Sequence, residues 1–217
     1  MRIIQDFIPV GRKNRPMRKN GLNYITIHNT GNSNRGAGAK AHANYVKSDT
    51  AANLPVSWHY TVDDKEIYQH LPDNETAYHA GDGNGKGNTQ SIGIEICENS
   101  DCDLFVATDN AAWLAAQLCD LHNIPTENIA QHYDWSRKDC PHQMRRNKPY
   151  SWKTFIEKIK SKLQKYKGTP EEITVDNAIV AGLVTDREHW LGVLNGTITA
   201  KPEYIKILID RAVAQKQ

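Results

Sequence analysis

Nowhere in the 217 residues does an apolar run approach the roughly 18 residues that a membrane-crossing helix needs, so no membrane span is expected. An excess of one charge is also missing. The 27 Lys and Arg stand against 25 Asp and Glu, a formal net charge of +2. Phosphate binding needs a concentrated basic face, so nucleic acid is not an expected partner. Cysteine is scarce: Cys97, Cys102, Cys119 and Cys140 form no C-x-x-C pair. The opening stretch, MRIIQDFIPV, lacks the uninterrupted apolar segment of a secretory leader, because Gln5 and Asp6 break it and no small-x-small site follows. Without such a leader a disulfide framework is the weaker expectation, and a protein of this kind acting beyond a membrane needs another carrier. No repeat and no low-complexity tract is present. With 39% apolar and 24% charged residues, disordered, collagen-like and coiled-coil classes are excluded. Histidine, by contrast, is abundant at nine residues, and buried imidazoles or a metal site are the two explanations to test.

Strand and helix patterns interleave through the first three quarters of the chain. Tyr24 to His28 alternates in the manner of a strand. Ala39, Ala43 and Val46 recur at helical spacing between Gly36 and Lys47. Trp58 to Val62 and Glu66 to Leu71 flank Asp63-Asp64-Lys65, a hairpin signal. Ser91 to Ile96 is nearly continuous in apolar residues, the mark of a strand covered on both faces. Asp109 to His122 carries Trp113, Leu114, Leu118 and Leu121 on one stripe, and Tyr150 to Tyr166 reads as a second amphipathic helix. These features predict an α/β fold with a central mixed β-sheet of about five or six strands flanked by helices. Gly168 and Pro170 lie in a polar stretch. Residues 1–166 are therefore expected to be the main domain, 167–173 a linker, and 174–217 a small all-α domain of three helices. Val175, Ile179, Trp190, Leu194, Ile198, Ile205 and Ile209 would supply most of its core, which is marginal alone at under 50 residues.

Chemistry concentrates in a few positions. His28 ends a strand just before Asn29-Thr30-Gly31, where ligands of α/β sheets usually bind; taken alone, a core imidazole bonded to a carbonyl explains it as well. His132 and Cys140 lie eight residues apart in a polar, aromatic stretch expected to be a structured loop. Two imidazoles and a thiolate suit Zn²⁺ and leave a fourth position for water, the pattern of a catalytic site. Cys140 could equally be a small buried hydrophobe. Glu95 interrupts Ile92-Gly93-Ile94-Glu95-Ile96 and faces away from its isoleucine neighbours, so it is either a structural ion pair or a general base. Lys138, two residues before Cys140, is a solvated loop lysine or a cation that stabilises an oxyanion. Trp58, His59 and His79 are candidates for the wall of a substrate cleft. The glycine-rich stretch after His79 lacks the GxxxxGK[ST] arrangement and is not a nucleotide cradle. His42, His70, His122, His142 and His189 are expected to be structural or on the surface.

Taken together, Tyr24-Ile25-Thr26-Ile27-His28-Asn29-Thr30, Ser57-Trp58-His59-Tyr60-Thr61-Val62-Asp63-Asp64, Tyr78-His79-Ala80-Gly81, Ser91-Ile92-Gly93-Ile94-Glu95-Ile96-Cys97 and His132 through Cys140-Pro141 resemble the zinc-dependent N-acetylmuramoyl-L-alanine amidases of the amidase-2 family. The likeness is greatest to phage and prophage endolysins of Gram-positive hosts and covers about residues 1 to 160. It implies a fold shared with the peptidoglycan recognition proteins. It further implies that His28, His132 and Cys140 hold Zn²⁺, that Glu95 and Lys138 assist catalysis, and that peptidoglycan is the partner. The implied reaction is hydrolysis of the amide between N-acetylmuramic acid and L-alanine of the stem peptide, in bacterial lysis. Two alternatives are a non-catalytic peptidoglycan-binding module and a cytoplasmic amidase that recycles muropeptides. An endolysin is made in the cytoplasm and acts on the wall after holin-type release. The tail resembles no wall-binding repeat; wall targeting is the role expected of it, and the alternative is an appendage for packing or for homo-oligomerisation through its helices.

Overall fold

The computed structural model describes residues 3–165 and 170–214. Six strands form one sheet: β1 (Ile3–Gln5), β2 (Tyr24–Asn29), β3 (Tyr60–Val62), β4 (Ile67–Gln69), β5 (Ser91–Ile96) and β6 (Ile129–Gln131), in the order β1-β4-β3-β5-β2-β6. Only the β3–β4 hairpin is antiparallel; the remaining pairs are parallel, so the sheet is mixed as expected. Its helices are α1 (Ala39–Lys47), α2 (Asp49–Ala52), α3 (Lys86–Thr89), α4 (Leu104–His122), α5 (His132–Ser136), α6 (His142–Arg145), α7 (Trp152–Lys165), α8 (Pro170–Val180), α9 (Arg187–Leu194) and α10 (Pro202–Ala214).

Period-two alternation decides what lies on each face of the sheet. Ile25 and Ile27 of β2 and Ile92, Ile94 and Ile96 of β5 enter one core with Ala111, Leu114, Ala115 and Leu118 of α4 and Phe155 and Ile159 of α7. The opposite parity, Thr26 and His28 on β2 and Ser91, Gly93 and Glu95 on β5, is polar. Ala39 and Ala43 of α1 pack with Tyr68 and Cys97 on that same side. One face thus builds stability and the other builds a site.

Helix α4 starts five residues earlier than its apolar stripe predicts. The Asp103 side chain caps it by accepting from the backbone N–H groups of Phe105 and Val106. Asn123, in the left-handed region at φ 54°, ends it. Alanines at 107, 111, 112, 115 and 116 let the helix lie close to the sheet while α7 and α8 cover its other sides. Strands β1 and β6 were not anticipated, since three residues are too short for alternation to register.

The stretch 132–140 differs from the expected loop by containing α5. Asp134 accepts from the Gln131 N–H at 2.8 Å, completing a capping box. Arg137, at φ 64°, turns the chain back so that Tyr133 N–H donates to the Cys140 carbonyl at 3.0 Å.

In the tail, residues 166–169 of the expected linker lie outside the described residues, while 170–173 already belong to α8, with Pro170 in its first turn. Val175, Ile179, Val180 and Val184 are buried in the main core against α4 rather than in a core confined to the tail. Too little apolar surface is available to three short helices alone, so α8 uses the larger core already present. Leu194, Ile198, Ile205 and Ile209 are instead exposed, at 39–55%. Among the described residues no helix is long and apolar enough to cross a membrane.

Candidate active site

His28 and Glu95 are direct cross-strand partners in the β2–β5 register, so both side chains leave the polar face of the sheet side by side. On the other flank of β2, Ile27 is opposite Gln131, and the chain enters α5 at the next residue, His132. Residues 28 and 132 are thereby neighbours across two parallel strand ends. The turn after α5 returns Cys140 to the same place, where its sulfur accepts from the Asn29 N–H at 3.4 Å. Three residues from three separate segments converge by backbone geometry alone.

The donor atoms are close together. His28 Nδ1 lies 2.9 Å from His132 Nδ1, 3.8 Å from Cys140 Sγ and 3.8 Å from Glu95 Oε1. One donor atom from each of His28, His132 and Cys140 falls within 4.8 Å of the other two, and all three residues are buried. Around a tetrahedral zinc ion two nitrogens stand roughly 3.3 Å apart and nitrogen and sulfur roughly 3.5 Å apart. The observed spacings straddle those values, and the donor set of two imidazoles and one thiol has the chemistry zinc prefers. Glu95 adds a further sign of fit, since its Oε2 is buried without a hydrogen-bond partner.

Electrostatics agree. Burial, then the neighbouring His79, His132 and Lys138, holds His28 well below the usual histidine range. Burial and Lys138 lower His132 to about 4. Burial, reinforced by Glu95, pushes the Cys140 thiol up to about 12. Glu95 itself is raised to about 8 by burial, against the pull of Lys138. The site therefore presents two neutral imidazoles and a thiol that gives up its proton only when a cation replaces it.

The outer nitrogens of both histidines are occupied, as metal-ligating imidazoles require. His28 Nε2 meets His79 Nδ1 at 3.0 Å, and His79 Nε2 faces the Ser91 hydroxyl at 3.5 Å. Ser91 in turn donates to the Gly87 carbonyl at 2.7 Å. With His28 donating, the chain of donors runs in one direction from β2 to the carbonyl. A Cβ at residue 93 would meet the His79 ring at 2.8 Å, which explains a glycine within a central strand. His132 is held through a backbone hydrogen bond with Ala80.

The cluster opens into a cleft of about 990 Å³. Glu95, Lys138 and His132 line it, with Trp58, Tyr78 and His79. Trp58 is fixed by donating from Nε1 to Thr61 Oγ1 at 2.6 Å. His79, expected at the wall, is there, but its ring is engaged with His28 and Ser91. The structure corrects the expectation for His59: it is fully buried, accepts from the Gly93 N–H at 2.9 Å and donates to the Glu75 carbonyl at 2.8 Å, and does not line the cleft. The glycine-rich stretch after His79 is also more ordered than its composition suggests. The Asp82 carboxylate accepts from the N–H groups of Gly87 and Asn88 at 2.7 and 3.1 Å, starting α3. Arg18, Thr30 and Ser136 line the cleft without having been singled out, because Arg18 and Thr30 sit in loops and Ser136 ends the short helix α5, all placed by distant segments.

Comparison with known proteins decides the family. A family model described as N-acetylmuramoyl-L-alanine amidase matches residues 18–143, more than half of the chain. The chain belongs to the N-acetylmuramoyl-L-alanine amidase family. It is 56% identical over 142 residues to the N-acetylmuramoyl-L-alanine amidase XlyA of Bacillus subtilis, a match covering 65% of this chain and 47% of that protein. To CwlH, another B. subtilis amidase, it is 49% identical over 160 residues, covering 73% of this chain and 61% of the relative. The solved catalytic domain of XlyA superposes with a TM-score of 0.69 at 52% identity, covering 73% of this chain and 99% of that domain. The chain thus spans about half the length of the curated amidases it matches, and nearly all of the solved amidase domain. Every element that contributes to the donor cluster lies inside the matched span.

Proposed function

We propose that this protein is a zinc-dependent peptidoglycan hydrolase that cuts the amide between the lactyl group of N-acetylmuramic acid and L-alanine of the stem peptide. The carrying observation is the convergence of His28, His132 and Cys140 beside a carboxylate with one unpartnered oxygen, at the floor of an open cleft. His28, His132 and Cys140 are the residues that would hold the metal; when bound, zinc supplies a Lewis acid that acidifies water and polarises the scissile carbonyl.

The chain's own groups do the remaining work. Glu95 takes the proton of the attacking water at its free oxygen and returns it to the leaving amine, a role suited to a carboxyl raised toward neutrality. Lys138, in the cleft wall, places a cation toward the developing oxyanion. His79 and the Ala80 carbonyl keep the two imidazoles in the tautomer that presents Nδ1 to the cluster. Trp58 and Tyr78 offer apolar surface to the substrate.

A pure binding module has no use for a buried thiol beside a carboxyl of raised pKa, since neither group gains anything from ligand binding alone. Delivery to the wall by a holin-type route belongs to the same proposal. Purified walls incubated with the protein should release new amino termini without new reducing sugar, and chelation should stop the release. Reducing ends without amino termini would refute the amidase reading.

A further inference from the structure

Among the described residues that line the cleft, three have acidic or basic side chains other than histidine: Glu95 and Lys138 at the donor cluster, and Arg18. We propose that Arg18 forms an anion subsite that binds the free α-carboxylate of the second residue of the stem peptide, a γ-linked glutamate. The proposal rests on the amidase reading and names the part of the substrate that the cleft distinguishes.

Arg18 is held in place at its backbone. Its carbonyl accepts from the Thr76 N–H at 2.7 Å, and the next residue, Lys19, bridges to Glu75. Its guanidinium lies 6.0 Å over the Tyr78 ring and donates from Nη1 to Asn84 Oδ1 at 3.0 Å. Both neighbours line the same cleft. Five other arginines are neutralised by carboxylates: Arg12 pairs with Asp49, Arg15 with Glu75, Arg145 and Arg146 with Asp139, and Arg187 with Asp176. Arg18 has an aromatic face and an amide oxygen instead, and no carboxylate among the described residues. Those partners orient a planar cation without cancelling its charge, leaving N–H groups for a bidentate anion.

Position selects which anion. Tyr78, under the guanidinium, directly precedes His79, whose ring touches His28. Two extended residues span about 7 Å, so a peptide whose first amide lies at Glu95 carries its second residue farther along the cleft, where Arg18 is the lining cation outside the donor cluster among the described residues. In peptidoglycan that residue bears an α-carboxyl that is either free or amidated, and only the free acid complements Arg18. Lysine at 18 would keep the charge and lose the fork.

Binding of N-acetylmuramyl-L-alanyl-D-glutamate and of its α-amide, measured by calorimetry with Glu95→Gln carried in every protein so that the scissile amide stays intact, tests the subsite without turnover, wild type then meaning Arg18 unchanged. The wild type should bind the acid about tenfold more tightly than the amide; Arg18→Gln should abolish the preference and Arg18→Lys restore it in part. On walls with unamidated stems, Arg18→Gln should raise KM about tenfold at unchanged kcat, and on amidated walls change it less than twofold. An undiminished preference for the acid in Arg18→Gln, or equal affinity for both ligands in the wild type, would overturn the proposal. Failure of the wild type to release amino termini from walls would overturn the amidase reading instead, while the binding measurement still decides the subsite.

Discussion

Glu95→Gln separates the chemical role of this carboxyl from its effect on the fold. The substitution keeps the shape and removes the proton acceptor. Loss of a positioned general base typically costs 10²–10⁴ in rate, so kcat should fall at least a hundredfold, or about 2.7 kcal/mol, with zinc still bound. Stability should move the other way. Burial raises Glu95 from 4.5 to about 8, so in the metal-free protein the folded state holds this proton where the unfolded state has released it. The folded state therefore binds more protons between those two values, and the Glu95 contribution favours folding below about pH 4.5 and is progressively lost as pH rises toward 8. A shift of that size caps the effect at about 5 kcal/mol. Urea unfolding of metal-free wild type and Glu95→Gln at pH 5, 6.5 and 8 reads the difference, and the histidine contributions cancel between the two proteins. Glu95→Gln should gain on the wild type as pH rises. A constant difference across that range, or wild-type turnover in the variant, would refute the reasoning.

Three further outcomes follow from the same site. Zinc uptake between pH 6 and 8 should release about one to two protons, one from Cys140 and up to one more from Glu95, because burial keeps the thiol and much of the carboxyl protonated and both imidazoles neutral in the metal-free protein; calorimetry in buffers of different ionisation enthalpy counts them, and zero protons would contradict the assignment. His79→Ala should weaken zinc binding 10–100-fold in chelator competition, with His79→Gln less affected because an amide can still accept from His28. Ile179→Ala should destabilise the protein by about 2–4 kcal/mol in thermal or urea unfolding, since this side chain is 3% exposed within the main core; an effect below 0.5 kcal/mol would show that α8 does not share that core in solution.

Much of the site was legible along the chain, and the reason is local. A histidine at a strand end, a carboxylate inside an isoleucine run and a cysteine in a polar turn each violate the pattern around them, and such violations mark function. The α/β class was equally legible, because β2, β5, α4 and α7 are long enough for their periods to register. Elements of three or four residues were not, which is why β1, β6 and α5 were missed although β6 and α5 deliver His132.

Sequence alone determined the identities of the chemical groups: two imidazoles, a thiol, a carboxyl and an amine, together with the alternation that sends His28 and Glu95 away from the isoleucine core. Only the tertiary structure decided which groups meet. Parallel register sets residue 28 against 95 and residue 27 against 131, and register depends on pairing between segments tens of residues apart. The same long-range packing removed His59 from the cleft, turned His79 toward His28, left Arg18 beside neutral partners and drew α8 into the main core. Short-range patterns carry no information about these contacts, because burial and distance are properties of the assembled layers rather than of any one segment.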